Sequence, residues 1–76
     1  MQLKSITIDR ETLGGTPVFT GTRVPVKSLF DWLETESLNE FLENFPSVKK
    51  EQALEVLRFA NRLLKTEINE LNENLA

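Results

Sequence analysis

The sequence has neither cysteine nor histidine among its 76 residues. Without cysteine, no disulfide framework and no thiolate metal site can form. The two absences also remove the thiol nucleophile, the usual general base and the common ligands of transition metals. Carboxylates such as Asp31 and Glu34 are plentiful, but acids at helical spacing ordinarily form a solvated face. We therefore predict that the protein is not an enzyme and that it has no metal and no cofactor.

Long apolar runs are missing as well. The sequence has no run of about 20 apolar residues and no basic segment followed by an apolar one, so we predict no membrane span and no export leader. A cytoplasmic protein is the default expectation.

A chain of 76 residues is one domain. At this size folding buries only about 60% of the extended chain's surface, so association with another chain would add stability.

Charge is distributed unevenly along the chain, although the net charge is only −3. Residues 1–30 carry +2, residues 31–46 carry five acids and no base, residues 47–65 carry +3 and residues 66–76 carry −3. A DNA-binding protein usually presents a basic stripe, because phosphate neutralisation supplies much of its affinity. Residues 47–65 supply a weak stripe, and the acidic segments on either side of it repel phosphate.

The middle of the chain predicts an amphipathic helix. Its apolar residues follow the i, i+3, i+4, i+7 spacing of one helical face, at Leu38, Phe41, Leu42 and Phe45. Ser37 is a good N-cap, and Glu40 three residues later completes a capping box. Pro46 cannot continue a helix, so this helix ends there.

A further helix begins after Ser47 or Val48, which gives a helix-turn-helix. Apolar side chains occupy roughly two thirds of its circumference. They are Val48, Ala53, Leu54, Val56, Leu57, Phe59, Ala60, Leu63 and Leu64. One domain face cannot cover so wide an arc. Either this helix is buried on two sides within the monomer, or one side of it contacts a second chain.

The N-terminal third predicts a small β element. Residues 6–8 alternate as a short strand does, and residues 17–19 and 23–26 form two extended pieces around Gly21, whose positive φ suits a tight hairpin. Arg23 has two interpretations. Its guanidinium either pairs with an acid of residues 31–46 or with loop carbonyls, or it contacts a phosphate or a partner.

After Pro25, another helix is predicted that ends near Glu34. Its apolar face consists of Val26, Leu29, Phe30 and Leu33. Trp32 lies at the edge of this face. Trp32 either covers the margin of the core, with its indole N–H at the surface, or anchors a protein interface.

A heptad pattern runs through the last helix and beyond the domain. Positions a are Leu54, Asn61, Ile68 and Leu75, and positions d are Leu57, Leu64 and Leu71. We predict that this seam pairs with another helix, from a second copy or from a cognate protein. The alternative is a frayed tail whose apolar side chains fold back on the helical hairpin. Asn61 at an a position favours pairing, because one buried Asn can set register and partner number.

Three motifs carry a resemblance to a known family over residues 6–65. They are Gly15-x-Pro17-Val18, the run GTRVPV at residues 21–26, and Phe45-Pro46. Together they resemble the short prokaryotic family catalogued as domain of unknown function 433. Members of that family are similar to antitoxins, often encoded beside a small PIN-like nuclease, and have a small β element followed by a helix-turn-helix. The resemblance implies a partner-binding role and operator binding.

One departure from the family concerns the start of the last helix. Where the family often has Ser or Thr as the cap, this chain has Lys49. The cap must therefore be Ser47 or be lost, which costs about 1 kcal/mol. The loss also removes a phosphate contact.

The predicted fold class is mainly α, with a short N-terminal β-hairpin followed by a three-helix helix-turn-helix domain and an extended C-terminal helix. The domain covers residues 1–65, and residues 66–76 extend the last helix.

The first functional hypothesis is a homodimeric antitoxin-like protein that neutralises a cognate PIN-like nuclease toxin through its long helix and acidic surface. Its dimer or partner interface consists of Trp32, Leu54, Leu57, Asn61, Leu64, Ile68, Leu71 and Leu75. The alternative is a helix-turn-helix transcriptional regulator that binds DNA and can control its own operon. Its DNA contacts are Arg23, Ser47, Lys49, Lys50, Gln52, Arg58 and Arg62. Both activities can coexist in an autoregulating antitoxin.

Overall fold

The fold is a short antiparallel β-hairpin followed by three helices, as the sequence predicts. The computed structural model describes residues 3–11 and 13–75, and the side chains of residue 13 and residues 68–75 lie outside that description. The elements in chain order are β1 (Ile6–Thr7), a 3-10 turn (Leu13–Gly15), β2 (Val18–Phe19), α1 (Val26–Leu33), α2 (Leu38–Asn44) and α3 (Lys50–Leu75).

The hairpin pairs β1 with β2, in the register Ile6 opposite Phe19 and Thr7 opposite Val18. The sequence prediction of an extended partner at residues 23–26 is therefore only partly correct. That segment contributes a single bridge between Pro25 and Val18, and proline cannot donate to a longer ladder. The predicted tight turn is present, with Gly21 at φ 80°.

Helix α1 starts directly after Pro25, whose φ of −62° and ψ of 139° leave it outside the helix. Val26 and Leu29 are buried, as their spacing predicts. Phe30 was predicted on the same buried face but is 39% exposed. Phe30 is exposed because, within the described residues, it lies on the wall of an open groove rather than under another element.

Helix α2 has half of its predicted capping box. The Ser37 hydroxyl accepts the Glu40 N–H at 3.1 Å. The Glu40 carboxyl lies beside that of Glu36 instead of returning to the Ser37 N–H. After Asn44 the Val48 N–H bonds to the Phe45 carbonyl oxygen at 3.0 Å and closes a turn around Pro46.

The core lies between the hairpin, α1, α2 and the first half of α3. Its buried residues are Phe19, Val26, Leu29, Phe41, Val48, Ala53 and Val56. A chain of aromatic contacts extends outward from it. Phe41 lies 6.1 Å from Phe19 and 4.8 Å from Phe45, and Phe45 meets Trp32 edge to face at 5.5 Å between ring centroids.

Helix α3 extends well beyond this core. It has 26 residues, which corresponds to a length of about 39 Å at 1.5 Å per residue. The helix runs without a break past the predicted domain limit at Lys65. Residues 61–67 are all exposed. Across the described part of the chain, no helix is long and apolar enough to span a membrane.

Candidate functional site

The start of α3 is fixed by Gln52 rather than by a hydroxyl cap. Lys49 occupies the N-cap position, because its carbonyl oxygen accepts the first helical bonds from Gln52 and Ala53. The Gln52 Oε1 accepts the Lys49 N–H at 2.9 Å, and its Nε2 donates to the Thr20 carbonyl oxygen at 2.9 Å. Both ends of the Gln52 side chain are therefore used within the chain, which leaves its amide poorly placed to read a base.

Arg23 and Ser47 line one polar cleft between the hairpin and the α2–α3 turn. The other lining residues are Thr7, Asp9, Thr16, Val18, Gly21 and Thr22. Arg23 is exposed. Within the described residues it forms neither of the structural contacts considered for it, an ion pair with residues 31–46 or a bond to a loop carbonyl.

The loop that carries Arg23 is well braced. The Thr22 hydroxyl donates to the Phe19 carbonyl oxygen at 2.8 Å and accepts the Val24 N–H at 3.0 Å. The Thr20 and Thr7 hydroxyls bond to each other at 2.9 Å. Because these bonds hold the loop, its backbone loses little conformational entropy when the Arg23 guanidinium binds a ligand. A guanidinium held in this way suits recognition of a carboxylate or phosphate.

The remaining predicted DNA contacts are exposed on α3 and just before it: Lys49, Lys50, Arg58 and Arg62. The two acids near them on α3 differ from each other. Glu51 is exposed, whereas Glu55 is half-buried and its Oε1 accepts the N–H of buried Ser5 at 3.1 Å. Glu55 therefore ties the N-terminal segment to α3 and is not simply an outward-facing acid.

An apolar groove with a volume of about 800 Å³ lies between β1, α1 and α3. Its lining residues are Leu3, Ile6, Ile8, Thr16, Pro17, Val26, Lys27, Phe30, Val56, Phe59, Ala60 and Leu63. Three of the four exposed large hydrophobic residues of the described chain belong to it: Ile8, Phe30 and Leu63. The fourth, Leu64, follows on α3 and is 61% exposed.

The predicted interface residues differ in how far they are exposed in the structure. Leu54 is half-buried, Leu57 packs against the core, and Asn61 and Leu64 are exposed. The side chains of Ile68, Leu71 and Leu75 lie outside the described part.

Trp32 is also half-buried and packs against the core margin. Its indole N–H was expected at the surface if the ring covered that margin. Instead the Nε1 atom is buried, and no described residue forms a hydrogen bond with it.

The groove was not predicted from the sequence. Ile8 follows β1, Phe30 lies on α1, and Phe59 and Leu63 lie on α3, and periodicity within one element cannot show that they meet. One signal was available. The apolar arc of the last helix was too wide for one domain face, and Phe59 and Leu63 lie on the part of α3 that borders the groove.

The acidic segment has one perturbed carboxyl group. A hydrogen bond with Glu36, repulsion from the Glu36 charge, partial desolvation and the Glu43 charge together raise the pKa of Glu40 above its ordinary value. Across residues 3–11 and 14–67, no three His, Cys, Asp or Glu side chains are grouped to hold a metal ion.

A family model described as a protein of unknown function, DUF433, matches residues 6–60. The chain belongs to the DUF433 family. The match ends five residues before the predicted limit of 65, near the point where α3 leaves the core. No curated protein and no solved structure matches the chain. The function of this DUF433 protein must therefore be argued from its own surfaces.

Proposed function

We propose that this DUF433 protein is a non-catalytic, antitoxin-like binding protein that acts as a homodimer and neutralises a cognate PIN-like nuclease. The observation that carries the proposal is the apolar groove beside α3, together with a helix that continues beyond the core. Contiguous exposed apolar surface on a small domain is typical of protein interaction sites. Its exposed large hydrophobic residues, Ile8, Phe30 and Leu63, contribute no reactive group, which favours binding over chemistry.

The acidic segment supports a basic protein partner. Residues 31–46 carry five acids and no base, and only Asp31 among them forms an ion pair within the described residues, with Lys27 at 3.1 Å. Four exposed carboxylates on α2 and the loop before it are thus available to a basic surface. Such charge complementarity speeds association and contributes specificity.

The test is co-expression of the tagged chain with the product of the adjacent open reading frame. The proposal predicts a stable complex and loss of the nuclease's activity on RNA when the chain is added. Replacement of Glu34 and Glu43 by Gln should slow association at low salt and have little effect at high salt, because exposed charges are screened. Absence of a complex with either neighbouring gene product contradicts the proposal.

A second candidate function is DNA binding through the helix-turn-helix, favoured by the uncommitted guanidinium of Arg23 in the cleft it shares with Ser47. The Gln52 side-chain amide donates to the Thr20 carbonyl oxygen, which limits its use as a hydrogen-bond donor to DNA bases. Titration on the chain's own promoter at two salt concentrations tests this function. Affinity that is absent, or that does not change with salt, excludes it.

A further inference from the structure

We propose that β1 and the groove beside it bind an extended segment of the partner protein, which joins the β-hairpin as a third strand. The segment carries uncharged, apolar side chains at alternate positions. This inference rests on the proposed function and specifies how the nuclease is held. It is carried by the pairing of the hairpin, the alternation of side chains along β1 and the chemistry of the groove.

The hairpin has one open edge. Within the described residues the sheet consists of β1 and β2. The far side of β2 is occupied, because the Phe19 N–H donates to the Val24 carbonyl oxygen at 2.9 Å and Val18 bridges Pro25. No described residue pairs with the outer side of β1 in the same way. The open edge therefore belongs to β1.

The backbone groups of Ile6 point toward this edge. In an antiparallel pair, opposed residues alternate between those that exchange hydrogen bonds and those that do not. The Thr20 N–H donates to the Ser5 carbonyl oxygen at 2.9 Å, one position from the Ile6–Phe19 pair. Ile6 and Phe19 are therefore a pair that exchanges no hydrogen bonds. Within the described residues, no other group bonds to the Ile6 N–H or carbonyl oxygen.

The side chains along β1 alternate between two surfaces. Ile6 and Ile8 line the apolar groove, whereas Thr7 and Asp9 line the polar cleft. This period of two indicates that the chain stays extended past the end of β1. The Ile8 N–H and carbonyl oxygen then face the same way as those of Ile6. An added strand would form hydrogen bonds with both residues.

Because the edge is short, the groove must supply most of the affinity. Residues 6–8 contain neither the Lys nor the proline with which proteins often protect an open edge. Ile8 is 66% exposed, and Phe30 on the α1 wall and Leu63 on the α3 wall are 39% and 50% exposed. A strand paired with β1 would cover apolar surface on all three elements.

Complementarity of partial charges selects a strand over a helix. The N–H and C=O groups of Ile6 and Ile8 alternate in sign at strand spacing, and an extended backbone presents matching groups. A helix uses its own groups internally. The groove adds no unpaired charge, because Lys27, the one charged residue among its described lining, pairs with Asp31 at 3.1 Å. The side chains that enter the groove are therefore apolar, as in other cases of strand addition.

A second copy of the chain fits this edge less well than a separate segment. Ile6 packs against the core of its own chain, so a second β1 would bring its own helices beneath it. Those helices would meet the α1 and α3 that wall the groove of the first copy. A partner segment without helices behind it avoids this overlap. The homodimer of the proposed function then forms through another surface, and Asn61 and Leu64 of α3 are exposed for it.

The test is amide hydrogen exchange, followed by NMR, on the chain alone and in complex with the product of the adjacent open reading frame. Exchange at Ile6 and Ile8 should slow by at least about tenfold in the complex, because their N–H groups gain partners. The Thr7 amide faces β2 in both states and is the internal control. A complex in which Ile6 and Ile8 exchange as fast as in the free chain overturns this inference and leaves the proposed function intact. Absence of any complex contradicts the proposed function and removes the inference with it.

The same measurement on the free chain at rising concentration tests the second copy as occupant. We expect the exchange rates of Ile6 and Ile8 to stay constant. Slower exchange at higher concentration would assign the edge to a second copy and overturn the partner segment.

A matched pair of substitutions separates the backbone bond from the side chain. Ile8→Ala removes the apolar side chain and keeps the N–H, whereas Ile8→Pro removes both. We expect the proline variant to bind the nuclease about tenfold more weakly than the alanine variant. Continued protection of the Thr7 amide shows that the hairpin is intact in both. Equal affinities of the two variants would show that the partner does not pair with this edge.

Discussion

The Gln52 Nε2 atom lies 2.9 Å from the carbonyl oxygen of Thr20, a residue 32 positions earlier in the chain. This bond joins the first turn of α3 to the hairpin loop that carries Arg23. It couples the first turn of α3 to the loop that presents Arg23, whose guanidinium forms no ion pair within the described residues. The position of Arg23 therefore depends on Gln52, which was predicted from the sequence to contact DNA.

Replacement of Gln52 by Glu tests the bond to the Thr20 carbonyl oxygen separately from the bond to the Lys49 N–H. The variant keeps an oxygen acceptor for the Lys49 N–H but loses the donor to Thr20, so we expect the free energy of unfolding to fall by about 1 kcal/mol. Urea denaturation at one protein concentration, followed by Trp32 fluorescence, measures it. Lys50→Gln, exposed on the same turn, is the control and should change little. Equal stability of the Glu variant and the parent chain would show that the Thr20 bond contributes nothing.

The bond between Ser5 and Glu55 makes a second prediction. Ser5 is 6% exposed, and its N–H depends on the Glu55 carboxylate at 3.1 Å. Glu55→Ala leaves that buried donor unpaired, which should cost about 1–3 kcal/mol. Glu55→Gln retains an acceptor and should cost less. Hydrogen exchange at the Ser5 amide reports the same bond directly.

The control for this pair is Glu51→Ala, since Glu51 is exposed one turn earlier on α3. If the Ala substitutions at residues 51 and 55 have the same effect on stability and on exchange at Ser5, the N-terminal segment is not held by Glu55.

The acidic segment predicts a pH effect. Hydrogen bonding and repulsion from Glu36 raise the pKa of Glu40 in the folded protein above its ordinary value. A raised carboxyl pKa means that the folded state binds the proton more tightly than the unfolded state. The contribution of Glu40 is therefore fully present below the unfolded pKa and is lost as the pH rises through the folded pKa.

Glu36→Gln should lower the pKa of Glu40, because it removes the Glu36 charge. Titration of the carboxyl carbons by NMR measures the value, and Glu34→Gln is the control, since Glu34 is not among the causes of the shift. A pKa for Glu40 that does not move in the Glu36 variant would show that the two carboxyls do not interact.

The helices could be predicted from sequence because their signals are local. Pro25, Ser37 and Pro46 each mark a boundary, and the helical bounds in the structure follow them. Strand pairing is not local. Residues 17–19 had two candidate partners, and the pairing with β1 leaves residues 23–26 with one bridge, which no periodicity indicates.

The candidate site was predictable only in part, for the same reason. Whether Arg23 pairs with an acid of residues 31–46 depends on where the hairpin loop lies in three dimensions, and the groove depends on residues from three elements. The engagement of Gln52 was equally hidden, because its partner is a backbone carbonyl and not a side chain. Sequence spacing did indicate that α3 has more apolar surface than one domain face can cover.

Substitution of Arg23 distinguishes a role in the stability of the fold from a role in binding a partner. Because Arg23 is exposed and forms no ion pair within the described residues, Arg23→Ala should change the free energy of unfolding by no more than about 0.5 kcal/mol. If Arg23 contacts a partner carboxylate or phosphate, the same variant should weaken binding to the neighbouring gene product or to promoter DNA by about tenfold or more. Arg23→Lys keeps the charge but not the bidentate geometry and should recover only part of the affinity.

Arg10→Ala, at another exposed arginine of the N-terminal segment, controls for loss of one positive charge. A large loss of stability in Arg23→Ala would assign the residue to the fold, and unchanged affinity for both partners would remove it from the binding surface.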